Sequence, residues 1–196
     1  FGHYKFSRFS LGKVIPAAKW KAMTICTMPI LGFTMVFYSI MNLFHLDFLP
    51  KQMMEISYLG FLPYNIIGSF ISAYIFFGAI QEELIRCGKK SWVQLLTLSI
   101  MMLPACIMSV TPSGDINVDL TVLSFITLCY CSWIYSKTRS TIILIVLYFV
   151  SNLVPFHFES KVLGILLLIA GTALTIGGFA ALSRKLPEML VKDENE

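Results

Sequence analysis

Apolar residues in this chain come in long runs, broken by short polar or basic stretches. Six runs can be marked: roughly Ala22 to Phe44, Gly60 to Ile80, Trp92 to Val110, Leu120 to Tyr135, Thr141 to Val154 and Val162 to Leu182. A helix needs about 20 apolar residues to cross a bilayer, and a soluble helix would instead show one apolar stripe. The pattern therefore predicts an all-α fold, a polytopic transmembrane helical bundle of about six spans. The whole chain reads as a single transmembrane domain, 1–196, with a basic N-terminal segment (1–21), the bundle (22–182) and a charged tail (183–196). The third to fifth runs are short or interrupted, as spans around a buried site often are. Pro29, Pro63 and Pro104 are expected to kink their helices. Gly164, Gly171, Gly177 and Gly178 in the last run are expected to serve close helix packing.

Composition sharpens this reading. Of the residues, 57% are AVILMFWYC and 13% are charged, with a mean hydropathy of +0.76. Soluble domains carry about a quarter charged residues, and disordered chains are far less hydrophobic. Both classes are excluded. The net charge of +4 comes from scattered Lys and Arg, so no nucleic-acid-binding face is indicated. The five cysteines fall in or beside apolar runs and read as small core hydrophobes. No metal site and no cofactor is indicated.

The basic residues also predict an orientation. Thirteen of the fifteen fall in the N-terminal segment, the second and fourth loops and the tail. The positive-inside rule then places both termini in the cytoplasm. The expected location is an integral protein of a bacterial cytoplasmic membrane, with the lipid bilayer as its constant partner. Most acidic residues belong to outer loops or to the tail. The two left over, Glu82 and Glu83, lie at the cytoplasmic end of the second run, within Gly78-Ala-Ile-Gln-Glu-Glu-Leu-Ile-Arg-Cys-Gly88.

Carboxylates at membrane depth are costly, which makes these two the first candidates for chemistry. Adjacent carboxylates near low dielectric are expected to push at least one pKa upward, as a general base requires. Arg86 stands four residues after Glu82, the favoured order for a helical ion pair. The competing reading is a charged cluster that marks the membrane boundary. A second constellation is Tyr148 and Asn152, four apart on the fifth run. The Asn amide could serve as an oxyanion donor or as interhelical glue. His3, His45 and His157 all lie outside the runs, so a histidine base or zinc ligand at the depth of Glu82 is hard to build.

The segment Gly78 to Gly88 resembles the first motif, E-E-x-x-x-R, of the CPBP family, the CAAX-prenyl-protease and bacteriocin-processing membrane proteins also called Abi. In the ungapped register Glu82, Glu83 and Gly88 match and Cys87 takes the arginine position. Sliding by one restores Arg86 but turns the first Glu into Gln81. The ungapped register keeps both carboxylates and is preferred. Downstream, Cys131-Ser-Trp-Ile-Tyr-Ser-Lys-Thr-Arg-Ser140 is similar to a family helix end in tyrosine and Lys-Thr-Gly-Ser. Asn152 matches the last motif, H-x-x-x-N, with Tyr148 in place of its histidine. The middle-motif histidine, expected near Leu103 to Ser109, is missing.

The resemblance covers roughly Gly60 to Val154 and implies a CPBP-like core. It implies an intramembrane endopeptidase that hydrolyses a peptide bond with glutamate-activated water. Glu82 would then be the base, Glu83 its support and Asn152 an oxyanion donor, with Arg86, Cys87 and Tyr148 lining the site. Its substrate would be a membrane-embedded or prenylated peptide. Because both motif histidines are missing, the implied activity is impaired. The alternative is a non-catalytic membrane protein of the same fold that binds or regulates a partner protein.

Overall fold

A computed structural model describes residues 17–44, 58–108, 118–151 and 161–192. Every element among them is helical, and no strand is present among the described residues. Six helices follow one another among the described residues. α1 is Ala17–Leu43. α2 begins as Tyr58–Ser72, continues as a π-helical segment, Ala73–Gln81, and ends in the turn Glu82–Arg86. α3 is Ser91–Met108, α4 is Val118–Thr138, α5 is Thr141–Ser151 and α6 is Lys161–Lys192. Each predicted run overlaps one of these helices. Two of them, over Trp20–Leu43 and Lys161–Lys185, are long and apolar enough to cross a membrane, while Ser91–Leu103 and Thr141–Ser151 form shorter apolar helices.

α1 and α6 pack antiparallel along a glycine seam. A Cβ added at Gly164 would meet Leu43 at 3.4 Å, one at Gly171 would meet the carbonyl of Gly32 at 2.8 Å, and one at Gly178 would meet Pro29 at 2.7 Å. The partner numbers fall along α1 as they rise along α6, so the start of α1 and the end of α6 share one end of the bundle. The three seam glycines are seven residues apart, two helical turns, which keeps them on one face. Gly177 lies off this face, with open space where its Cβ would be.

The remaining helices enclose a core in which Phe77, Leu98, Ile134, Leu144 and Leu147 are fully buried. Two tight connections bring its polar end together. The α2–α3 link closes with Lys89 N–H donating to the Leu84 carbonyl and Gly88 N–H to that of Ile85, both at 2.9 Å, and Gly88 at φ +67°. This is a Schellman cap, whose left-handed position favours glycine. The α4–α5 link has the same requirement and meets it differently. Arg139 stands at φ +49°, with its N–H donating to the Tyr135 carbonyl at 2.8 Å. A side-chain-bearing residue there costs about 1 kcal/mol or more.

Candidate functional site

The π-helical segment shapes the polar end of the bundle. In a π-helix each N–H bonds one residue further back than in an α-helix, which widens the turn and re-aims the side chains that follow. Here Ala73, Phe77 and Gln81 are the buried positions of the segment. Gln81 is fully buried among α2, α3 and α4. Its Nε2 lies 3.1 Å from Gln94 Oε1, 3.0 Å from the Ser132 carbonyl and 3.0 Å from Ser132 Oγ. Gln94 in turn donates from Nε2 to the Lys89 carbonyl at 2.8 Å, which ties the α2–α3 loop to the same cluster.

Glu82, one residue on, points elsewhere. Its Oε2 accepts from Arg139 Nη1 at 2.8 Å and from the Tyr135 hydroxyl at 3.1 Å, while Oε1 faces Arg86 Nε at 3.5 Å. The carboxylate thus joins the end of α2 to the end of α4 and to the α4–α5 turn. Its pKa runs opposite to the upward shift expected from paired carboxylates. Partial burial pushes it up, but the hydrogen bond and charge of Arg139, the Tyr135 hydroxyl and the charge of Arg86 together hold it below the usual 4.5. The expectation counted the neighbouring acid and the Arg86 ion pair but not Arg139 or the Tyr135 hydroxyl.

The other predicted residues divide. Glu83, Arg86 and Cys87 are exposed, so Glu83 does not share the interior position of Gln81. Tyr148 is buried. Its ring lies 5.9 Å from that of Phe77, which lies 6.2 Å from the ring of Tyr135, and this aromatic bridge leads back to Glu82. Asn152, His3, His45 and His157 lie outside the described residues. No group of three His, Cys, Asp or Glu able to hold a metal occurs among the described residues.

The sequence reading gave no site role to Gln81, Gln94, Ser132, Tyr135 or Arg139. Gln81 and Gln94 carried a usable signal, since amides at the edge of apolar runs need internal partners. Ser132 and Tyr135 carried a weaker one, and only their spacing on one helical face marks them. Arg139 was counted only as a cytoplasmic charge. A deeper polar contact, Asn65 Nδ2 to the Phe149 carbonyl at 3.5 Å, joins α2 to α5 and was also missed. No family model, curated protein or solved structure matches the chain.

Proposed function

We propose that this chain is a non-catalytic integral membrane protein with six spans and a CPBP-like layout, which holds a partner membrane protein. The observation that carries the reading is the side chain at the interior position of the motif helix. That residue is Gln81, an amide that cannot take a proton from water near neutral pH. The neighbouring carboxylate, Glu82, is held by two guanidinium groups and a phenol, and its lowered pKa makes it a weak base. The same geometry favours the shifted register, with Gln81 at the first glutamate and Glu82 paired to Arg86 at i+4.

Membrane residence draws support from the outer surface. Large apolar side chains are exposed on every long helix, among them Ile40, Ile67, Ile100, Phe125 and Ile169. Water would make such a surface a site of aggregation, whereas acyl chains solvate it. The antiparallel seam of α1 and α6 agrees with both termini on one side, here the cytoplasm.

The test has two parts. Purified protein in lipid is offered membrane-embedded and prenylated reporter peptides, and the expected outcome is no cleavage above the lipid blank. Cleavage that disappears in Glu82→Gln would return the chain to the endopeptidase reading. In cells, crosslinking from exposed helix faces is expected to capture one defined membrane protein, equally well with wild type and Glu82→Gln. An impermeant maleimide is expected to reach Cys87, which is exposed, only after the cytoplasmic face is opened.

A further inference from the structure

We propose that the end of the bundle carrying the α2–α3 loop binds the phosphate headgroup of an anionic phospholipid. Lys89, Lys90 and Lys137 are its cationic ligands, and the exposed face of α3 is the track for an acyl chain. This rests on membrane residence as proposed above and adds the lipid class and its address.

Two hydrogen-bonded or packed levels show which groups share this end. Tyr130 donates to the Cys26 carbonyl at 2.6 Å, and its ring meets that of Phe179 at 6.1 Å, so α1, α4 and α6 are level there. Gln81, Gln94 and Ser132 set a level for α2, α3 and α4. The three tryptophans of the chain stand at or just beyond these levels. Trp20 is six residues before Cys26, Trp92 two before Gln94, and Trp133 beside Ser132. All are exposed, at 57%, 64% and 42%. Three exposed indoles toward one end of the bundle mark the headgroup region, where tryptophan is enriched.

The charges lie at the same end. Glu82 pairs with both Arg86 and Arg139, which brings the end of α2 beside the α4–α5 turn. Lys89 and Lys90 follow Arg86, and Lys137 precedes Arg139, so the three lysines flank that pair. All three are exposed, and none has an ion pair among the described residues. Five cations here face two carboxylates, Glu82 and Glu83, leaving a local excess of three positive charges. The loop is fixed by its Schellman cap and by Gln94 on the Lys89 carbonyl, so its lysines project from a held backbone. The end of α6 is left out, because Arg184 and Lys185 are followed by Glu188, Asp193, Glu194 and Glu196.

A lipid fits this surface better than a free anion does. Directly after Lys90, the exposed Trp92, Leu96 and Ile100 recur every four residues along one face of α3. Lysines above an apolar stripe match a phosphodiester above its acyl chain. Inorganic phosphate would engage the lysines alone.

The experiment uses the full chain in neutral detergent, titrated with phosphatidylglycerol, phosphatidylcholine or inorganic phosphate, with the melting temperature as readout. Phosphatidylglycerol is expected to raise it saturably and phosphatidylcholine to leave it nearly unchanged. Changing Lys89, Lys90 and Lys137 together to Gln is expected to weaken half-saturation at least about tenfold. Lys161→Gln, at the opposite end of the bundle, is expected to leave it unchanged. The preference is expected to fade as salt rises from about 0.05 to 0.5 M. Equal response to both lipids, wild-type half-saturation in the triple variant, or an equal shift from phosphate alone overturns the proposal. An alkaline carbonate wash reads membrane residence separately: release of the chain from membranes would sink that reading and this one with it. Retention in the pellet with no lipid preference would sink only this one.

Discussion

The glycine seam between α1 and α6 offers the most direct test of the fold, and Gly32→Ala is the perturbation of choice. The new methyl group would sit 2.5 Å from the Gly171 carbonyl oxygen and 2.5 Å from the Thr175 amide nitrogen. Both are backbone atoms, and Thr175 Oγ1, at 2.6 Å, is itself bonded to that carbonyl at 2.8 Å. No side chain can swing aside, so the helices must separate by about 1 Å to restore ordinary contact. Overpacking of this kind costs about 1–3 kcal/mol, and the shift also loosens the contacts at Gly178–Pro29. Against this, alanine in a helix gains about 1 kcal/mol over glycine. The net expectation is a loss of about 1–2 kcal/mol. Gly177→Ala has the same chemistry in open space, so it should be neutral or gain up to about 1 kcal/mol. Unfolding in mixed micelles of rising SDS content, followed by helical circular dichroism, measures both. Gly171→Ala should cost as much as Gly32→Ala, and the double variant less than their sum, because one separation accommodates both methyl groups. If Gly32→Ala proves as stable as Gly177→Ala, the seam is not there.

Three further variants probe the polar end. Gln81→Leu leaves the Ser132 and Gln94 acceptors without their buried donor and should cost about 1–3 kcal/mol in the same unfolding assay; a silent Gln81→Leu would refute the cluster. Glu82→Gln tests linkage. The folded carboxyl titrates below its ordinary 4.5, so its contribution is full above that pH and is lost as pH falls through the lower folded value. Wild type should therefore lose its advantage over Glu82→Gln as melting is followed from pH 6 down to 3, and a constant difference would contradict the ion-pair geometry. At Arg139, in the left-handed region, Arg139→Gly relieves backbone strain while losing the Glu82 contact, whereas Arg139→Ala loses the contact and keeps the strain. The glycine variant should be the more stable by about 1 kcal/mol, and the reverse order would place the residue outside that region.

The helices were readable because the signal behind them is long and redundant. Each apolar run has a helix under it, and boundaries such as Lys161 and Thr141 follow from charges and short polar breaks. Seam glycines were readable for a similar reason, since small residues on an otherwise bulky helix have few other uses. Sequence alone could not separate Gly177 from Gly178. They are adjacent, and only the position of α1 shows that the second meets Pro29 while the first faces open space. The polar end was harder still. Its partners are far apart along the chain: Gln81 with Ser132, Glu82 with Arg139, Asn65 with Phe149.

The choice between two motif registers shows how such contacts bear on the proposed function. Along the chain, Gln81, Glu82 and Glu83 are three consecutive polar residues, and the pair of carboxylates looks like the functional one. Consecutive helical residues point about 100° apart, so only one of the three can face the interior. A run of π-helix just before them shifts that angle by an amount that no residue type in Ala73–Gln81 announces. The burial of Ala73, Phe77 and Gln81 at steps of four shows where the inward face falls. Once Gln81 is inside, Glu82 turns toward Tyr135 and Arg139, and Glu83 toward solvent. A base at Glu82 would have to leave two cations and a phenol to reach a buried substrate. An amide at Gln81 can hold helices together but cannot activate water, and the non-catalytic function proposed above rests on that single rotation.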